Sequence, residues 1–228
     1  MNGDGRYRAL LALLLTVPAP SIGVLAALWA FPGPAGQAIY GLCKAWLLGF
    51  PLFWRVRVER APISFSPPRQ GGFVFGAVSG LVMGGAVAGA YLLLGSRLID
   101  AAFFRSVALR NGMGTPERYL ALALYLSLIN SLLEEYVWRW FVFRRSEDLL
   151  PGAAAVAASG LFFTLHHTIA LRLQFGWTVT LLSSLGIFAG AAVWSWCYLR
   201  YRSVWPGWLS HVLVDLAVLG AGYHLLFG

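Results

Sequence analysis

The chain has 228 residues, of which 59% are hydrophobic and 11% charged, and its mean hydropathy is +0.70. Soluble domains carry about 25% charged residues, so this sequence has too few charges to cover the outside of a soluble fold. The net charge of +8 comes mostly from arginines in short gaps between apolar runs, where arginines act as topology signals and lipid-headgroup contacts. The composition excludes a soluble class, argues against nucleic acid as a partner and indicates one multi-pass domain, residues 1–228, surrounded by membrane lipids.

Seven apolar runs are long enough, at about 20 residues each, to cross a bilayer as helices. They extend from Leu10 to Phe31, Gly36 to Trp54, Gly71 to Leu94, Tyr119 to Phe143, Gly152 to Leu171, Trp177 to Leu199 and Val204 to Phe227. We therefore predict an all-α bundle of seven transmembrane helices, whose first run is retained rather than cleaved as a signal peptide. The segment from Ser96 to Arg118 mixes arginines with aromatic residues and allows either an interfacial helix or an eighth span.

The arginines also predict an orientation. With the N-terminus inside, the inner segments between the runs hold ten arginines and the outer segments hold five. Because positive residues concentrate on the cytoplasmic side, this bias favours an N-terminus inside the cell. We expect an integral protein of a bacterial-type inner or plasma membrane.

Ionisable side chains inside membrane spans are costly, and they are rare unless they pair with one another or carry a function. The runs contain Lys44, Glu134, Glu135, Arg139, His166, His167, His211, Asp215 and His224. Seven of these nine residues form three clusters, on the fourth, fifth and seventh runs. Of the other two, Lys44 is expected to snorkel toward a headgroup, and His224 is expected to be a core histidine.

Helical geometry separates the two neighbouring glutamates. Glu135 and Arg139 are four residues apart, so they share a face of the helix and are predicted to form a structural ion pair. Glu134 is rotated by about 100° from Glu135 and has no partner four residues further on. It is therefore expected to face another helix.

The other two clusters lie at a similar depth. His211 and Asp215 share a face across one helical turn, so together they can hold a polar substrate group, or Asp215 can orient His211. At a rise of 1.5 Å per residue, all three clusters lie about 10 to 20 Å from the inner boundary of their spans. They are expected to converge on one cavity near the middle of the membrane.

Such a set of groups suits hydrolysis. A carboxylate in a wet cavity of low dielectric constant can act as the general base toward water, and a nearby imidazole can pass the proton to a leaving amine. A further histidine with a side-chain donor can stabilise the oxyanion of a tetrahedral intermediate. Asp215 serves as such a donor only when it is protonated.

At these residues the sequence resembles the CAAX-protease and bacteriocin-processing family of intramembrane proteases, also called Abi or CPBP. The family has three motifs, EExxxR, FxxxH and HxxxN/D, in that order on separate helices. Glu134-Glu135-x-x-x-Arg139 matches the first motif, Phe162-x-x-x-His166 or Phe163-x-x-x-His167 the second, and His211-x-x-x-Asp215 the third. The resemblance covers roughly residues 119–227, the expected catalytic core.

The resemblance implies a glutamate-dependent peptidase that needs no cofactor and cleaves near a membrane-embedded or lipidated protein terminus. By analogy, Glu134 and the second-motif histidine activate the water, while His211 and Asp215 bind the oxyanion. The third motif ends in Asp rather than the commoner Asn, so the donor role of Asp215 requires a proton. His166 and His167 both remain candidates for the second motif. His167 is slightly preferred because Phe163 follows four residues after a small residue, Ser159, as is frequent in this family.

Two other functions remain open. The first is a zinc-dependent protease in which Glu134, one of the two adjacent histidines (His167 in the preferred register) and His211 supply three ligands, although the sequence has no HExxH pattern. The second is a non-catalytic immunity, scaffold or transport protein, since intramembrane charges also mark transport paths. The sequence names neither the substrate nor the oligomeric state.

Overall fold

The computed structural model describes residues 3–64 and 66–228, which form eight helices and no strand. In chain order these are α1 Gly3–Ala30, α2 Pro34–Phe53, α3 Phe73–Leu98, α4 Ala101–Arg110, α5 Pro116–Glu147, α6 Gly152–Gln174, α7 Trp177–Tyr201 and α8 Val204–Phe227. A π-helical turn, Trp54–Val58, continues α2. Each helix longer than α4 coincides with one of the seven predicted runs.

Six of the helices, α1, α3, α5, α6, α7 and α8, are long and apolar enough to cross a membrane. The prediction of an all-α, multi-pass membrane protein is therefore confirmed. The predicted count of seven is not, because α2, which carries Gln37 and Lys44, does not meet the same criterion. The segment between α3 and α5 contains only α4, a helix of 10 residues. A helix of that length reaches about 15 Å, half the thickness of the hydrocarbon layer, which favours the interfacial alternative over an eighth span.

Contacts at the two ends of the bundle show how the helices alternate in direction. At one end, Arg6 of α1 donates a hydrogen bond to the carbonyl of Leu149, just after α5, at 3.4 Å. At the other end, Arg105 of α4 donates to the carbonyl of Leu225 in α8, also at 3.4 Å. Arg202, two residues before α8, donates to Glu147 at the end of α5 at 2.6 Å. The beginning of α1, the end of α5 and the beginning of α8 therefore lie at one end of the bundle, and the end of α8 lies at the opposite one.

The middle of α5 departs from regular α-helical geometry on both sides of the predicted glutamates. Two π-helical stretches, Tyr125–Asn130 and Tyr136–Phe143, flank a short α-helical segment, Ser131–Glu135. The second stretch buries Trp138 and Phe141 in the main hydrophobic core. Because π-helical insertions widen a helix and occur frequently at functional sites, this geometry singles out Ser131–Glu135.

Helix α8 packs closely against α3 along a row of glycines, Gly76, Gly80 and Gly84. A Cβ atom added at Gly76 would lie 2.2 Å from the carbonyl oxygen of Pro206, and one added at Gly80 would lie 2.9 Å from the Cα of Ser210. Small residues allow the backbones of membrane helices to approach each other. The glycine row therefore sets the position of α8, the helix that carries His211 and Asp215.

We predict that Gly80→Ala lowers the apparent melting temperature of the detergent-solubilised protein, because the new methyl group meets backbone atoms of α8. Overpacking of this kind costs about 1–3 kcal/mol. Gly85→Ala is the matched control, since a Cβ at Gly85 meets nothing within 4 Å. Equal destabilisation by the two substitutions would show that the packing of α8 against α3 does not depend on the glycine row.

Candidate active site

Glu134 lies in the short α-helical segment of α5, and only 16% of its side chain is exposed. Its Oε1 accepts a hydrogen bond from Asn130 Nδ2 at 2.9 Å, and Asn130 Oδ1 accepts one from Lys44 Nζ of α2 at 3.1 Å. Its Oε2 lies 3.7 Å from Nε2 of His211 in α8. One carboxylate oxygen is thus held by an amide on its own helix, while the other faces a neighbouring helix.

The expectation that Lys44 snorkels toward a headgroup is wrong. Its ammonium group donates to Asn130 and lies 5.7 Å from the ring centroid of Tyr40. Lys44 stands about 15 Å from each end of α2, farther than its four-carbon stem reaches. A polar partner inside the bundle satisfies the charge instead.

Glu135 and Arg139 form an ion pair at 3.0 Å, and both side chains are completely buried. The same carboxylate oxygen, Oε1, lies 3.1 Å from Nδ1 of His211. Since a carboxylate oxygen accepts, Nδ1 of His211 carries the proton and donates to Glu135, which fixes the ring's orientation. The Nε2 atom of His211 then faces Glu134. The pair predicted from its spacing therefore also connects α5 to α8.

Aromatic side chains and one glycine surround this buried connection. The Trp194 ring stacks on His211 with centroids 3.8 Å apart, and the Arg139 guanidinium lies over the rings of Phe163 and Trp194, at 4.8 and 5.1 Å. A Cβ atom at Gly207 would lie 2.9 Å from Oε2 of Glu135. Glycine at position 207 therefore leaves the space that the carboxylate occupies.

His166 and His167 both lie beside Glu134, and the ligand atoms of these three residues are within 4.8 Å of one another. His167 Nδ1 lies 3.0 Å from the carbonyl oxygen of Phe163, to which it donates, so Nε2 is its basic nitrogen. The His166 ring stacks on Trp138, with the planes 5° apart. Its Nδ1 is buried without a hydrogen-bond partner among the described residues. The geometry therefore does not separate the two histidines.

Asp215 lies at the edge of the group, with its side chain 24% exposed and Oδ1 3.7 Å from His211 Nε2. Of the two roles considered for it, orienting the imidazole is performed by Glu135, which is bonded to Nδ1 of His211. The expectation that His224 is a core histidine is wrong: it is exposed near the end of α8, and its Nδ1 lies 2.7 Å from the hydroxyl of Tyr91. It takes no part in this site.

Sequence reasoning missed three residues of the site: Lys44, Asn130 and Trp194. A signal for Asn130 was present, because it precedes Glu134 by four residues and so shares its face of α5. Trp194 lies on α7, which contributes no ionisable residue within the membrane, so nothing in the sequence marked it.

The donor set also fits a metal ion. Glu134, His166 and His167 offer one carboxylate and two imidazoles, the number of protein ligands that catalytic zinc sites use. The buried His166 Nδ1, which lacks a protein partner in the described part of the chain, agrees with such a role. His211, assigned as a ligand in the sequence-based zinc alternative, does not belong to this group of three.

Comparison with known proteins identifies the segment that carries the site. Residues 116–217 match the family model described as "Type II CAAX prenyl endopeptidase Rce1-like". This segment contains all three motifs and extends from the start of α5 into α8. No curated protein and no solved structure matches the chain with significant similarity.

We predict that Arg139→Met destabilises the protein strongly, because Glu135 would be left buried without its cation. Breaking a buried ion pair on one side costs about 3–5 kcal/mol. Thermal unfolding in detergent, or the yield of monodisperse protein, measures this effect. Arg172→Met is the control, since Arg172 is exposed and its guanidinium contacts a nearby carbonyl and the ring of Trp177 rather than a buried acid; similar losses in both variants would contradict the assignment.

Proposed function

We propose that Glu134 activates water for intramembrane peptide hydrolysis, and the match of residues 116–217 to the Rce1-like family model of type II CAAX prenyl endopeptidases supports this proposal. The expected substrate is a protein with a membrane-embedded or lipidated terminus, cleaved near that terminus. The main support is the arrangement of the glutamate: one oxygen is held by Asn130 and the other faces a histidine at 3.7 Å. A general base needs such fixed geometry within reach of its proton.

The proposed reaction follows the positions of these groups. Glu134 takes a proton from water, and the water oxygen attacks the scissile carbonyl carbon, forming a C–O bond. The proton then passes, through His166 or His167, to the nitrogen of the breaking C–N bond. The products are a carboxylic acid and an amine, as peptide hydrolysis requires.

His211 and Asp215 are the proposed oxyanion donors. Because Nδ1 of His211 donates to Glu135, the ring offers a second N–H at Nε2 only when it is doubly protonated. Asp215 likewise donates only when protonated. Preorganised donors of this kind stabilise the charge that develops in the tetrahedral intermediate.

We predict that Glu134→Gln lowers the cleavage rate of a farnesylated CAAX peptide by at least about 100-fold, since a general base contributes 10²–10⁴-fold. Gln has the size of Glu but cannot take the proton. The control is Glu117→Gln, which changes an exposed acid at the start of the same helix. Cleavage that survives in the Glu134 variant, measured by mass spectrometry of the products, would refute the proposal.

A zinc-dependent protease is the second candidate, because Glu134, His166 and His167 form a compact ligand group. A zinc ion held there would supply Lewis-acid activation of water. In that version Glu134 would be occupied as a ligand, and the remaining acid–base work would rest on His211 and Asp215.

Metal removal distinguishes the two candidates. For the glutamate mechanism, we predict full activity in chelator-treated protein that elemental analysis shows to be free of zinc. The zinc version instead requires stoichiometric metal, loss of that metal in His166→Ala and His167→Ala, and recovery of activity on adding zinc.

We also propose a topology for the chain. α2 crosses the membrane as a seventh span within a single domain, because it coincides with the second predicted run and its Lys44 reaches Asn130 in the middle of α5. Arg6 contacts Leu149, so the start of α1 lies near Arg144 and Arg145, at the end of the bundle that also holds Arg55 and Arg202 and is called the arginine-rich end below. An N-terminus on the cytoplasmic side of a bacterial-type inner membrane agrees with that distribution.

A further inference from the structure

The hydrogen-bonded chain from Lys44 through Asn130 to Glu134 has a direction that chemistry dictates. A lysine ammonium can only donate, so the amide atom that faces it must be the oxygen, Oδ1 of Asn130. The amide nitrogen of Asn130 then points to Oε1 of Glu134 and donates to it at 2.9 Å. The ammonium on α2 therefore decides which way the amide on α5 is turned.

This direction matters for the carboxylate. With the amide turned the other way, its oxygen would face Oε1 of Glu134, and two acceptors would oppose each other. With the observed direction, Oε1 accepts the hydrogen bond from Asn130, and Oε2 faces Nε2 of His211 at 3.7 Å. The chain thus selects one carboxylate oxygen for the reaction and holds the other.

We propose that Lys44 and Asn130 are positioning residues for the general base, with Lys44 acting only through Asn130. This inference rests on the proposed function of Glu134 and extends it to residues outside the three motifs. Lys44 is also the only lysine in the chain, so its reactivity can be followed without interference from other lysine side chains.

The kinetic test uses the full-length protein in detergent and a farnesylated CAAX peptide as the probe. Lys44→Met and Asn130→Leu should each lower kcat by about ten- to a hundredfold, the effect of losing a hydrogen bond to a charged group, with KM changed less than about twofold. The double variant should be no slower than Asn130→Leu alone. Lys44→Arg, which keeps a cationic donor, should recover most of the rate, and Gln37→Met, at an exposed position of α2, should leave it unchanged.

The inference would be overturned if the fall in kcat of the double variant equalled the product of the falls in the two single variants. An unchanged kcat in Lys44→Met would overturn it as well. A merely structural role would lower the melting temperature and would not be rescued by arginine. If Glu134→Gln abolishes cleavage while the Lys44 variants are fully active, the proposed function stands and only the positioning role fails.

A second readout needs no activity. Acetylation of Lys44 by acetic anhydride, followed by mass spectrometry of the peptide that contains it, should be faster in Asn130→Leu than in the parent protein, because the ammonium has lost its acceptor. An equal labelling rate would show that the contact between Lys44 and Asn130 does not hold the amine.

A cavity of about 370 Å³ at the arginine-rich end of the bundle carries an independent inference. The ends of α2, α5 and α7 and the loop between α2 and α3 line it. Five of the lining side chains are arginines: Arg55, Arg69, Arg144, Arg145 and Arg202. The acids that line it or pair with these arginines in the described structure are Glu59, Glu147 and Asp148.

The positive charge around the cavity exceeds the negative charge by two, counting five arginines against these three acids. Arg69 is exposed and has no side-chain partner among the described residues, and Arg144 lies 3.8 Å from Glu147 with 46% of its side chain exposed. Two guanidinium groups are thus available to an incoming anion. Arginine presents paired N–H donors that match phosphate oxygens.

We infer that this cavity binds a phosphate group, which a membrane-surface position would supply from an anionic lipid headgroup. The measurement is retention of phosphatidylglycerol over phosphatidylcholine by native mass spectrometry of the intact protein. Arg69→Gln combined with Arg144→Gln should weaken retention by about tenfold or more, since each basic residue contributes to anionic-lipid attraction. Arg110→Gln combined with Arg118→Gln, at the opposite end of the bundle, should have no effect.

Two other outcomes are decisive as well. Binding of inorganic phosphate that depends on Arg69 and Arg144, without selective lipid retention, would keep the site and assign it to a free phosphate. No selectivity for either source, or equal losses in both double variants, would overturn the inference.

Discussion

The buried contact between Glu135, Arg139 and His211 is the constraint on which the arrangement of the site depends. A charge with no exposure to solvent needs a partner, and Glu135 meets that need within its own helix through Arg139. The same oxygen receives Nδ1 of His211, so the ion pair that neutralises α5 also fixes the imidazole of α8. Trp194 stacks on that ring, and Gly207 leaves space for the carboxylate.

The two adjacent glutamates differ in role because they point in different directions from the helix. Glu135 points into the protein, where Arg139 and His211 are its buried partners. Glu134 points toward α6 and α8, and its Oε2 accepts no hydrogen bond from the residues that the structure describes. Asn130 and Lys44 add a polar support that is not part of the family's motifs. The residues of the site come from α2, α5, α6, α7 and α8, so the site forms only when these five helices are packed together.

Much of this architecture could be predicted from the sequence because lipid imposes simple requirements. Apolar length predicted the helix ends within four residues, except that α1 begins at Gly3 rather than Leu10. The rarity of charges inside spans drew attention to Glu134, His211 and their neighbours. The family match over residues 116–217 confirms the resemblance based on those motifs. Hydropathy was less informative for α2, because a charged residue, Lys44, lowers its hydropathy while being satisfied by Asn130 on another helix. Helical periodicity could not choose between His166 and His167, since adjacent residues both reach a cavity when the helix faces it obliquely.

The π-helical stretches on either side of Ser131–Glu135 have a mechanical consequence. A π-helical turn bonds each amide to the carbonyl five residues back, whereas an α-helical turn bonds it to the carbonyl four residues back, so a change between the two patterns rotates the residues on one side relative to those on the other. The segment that holds Glu134 is joined at both ends to stretches with the wider bonding pattern. A change of hydrogen-bond register in either stretch would therefore turn Ser131–Glu135 about the axis of α5 and change the direction in which the Glu134 carboxylate points.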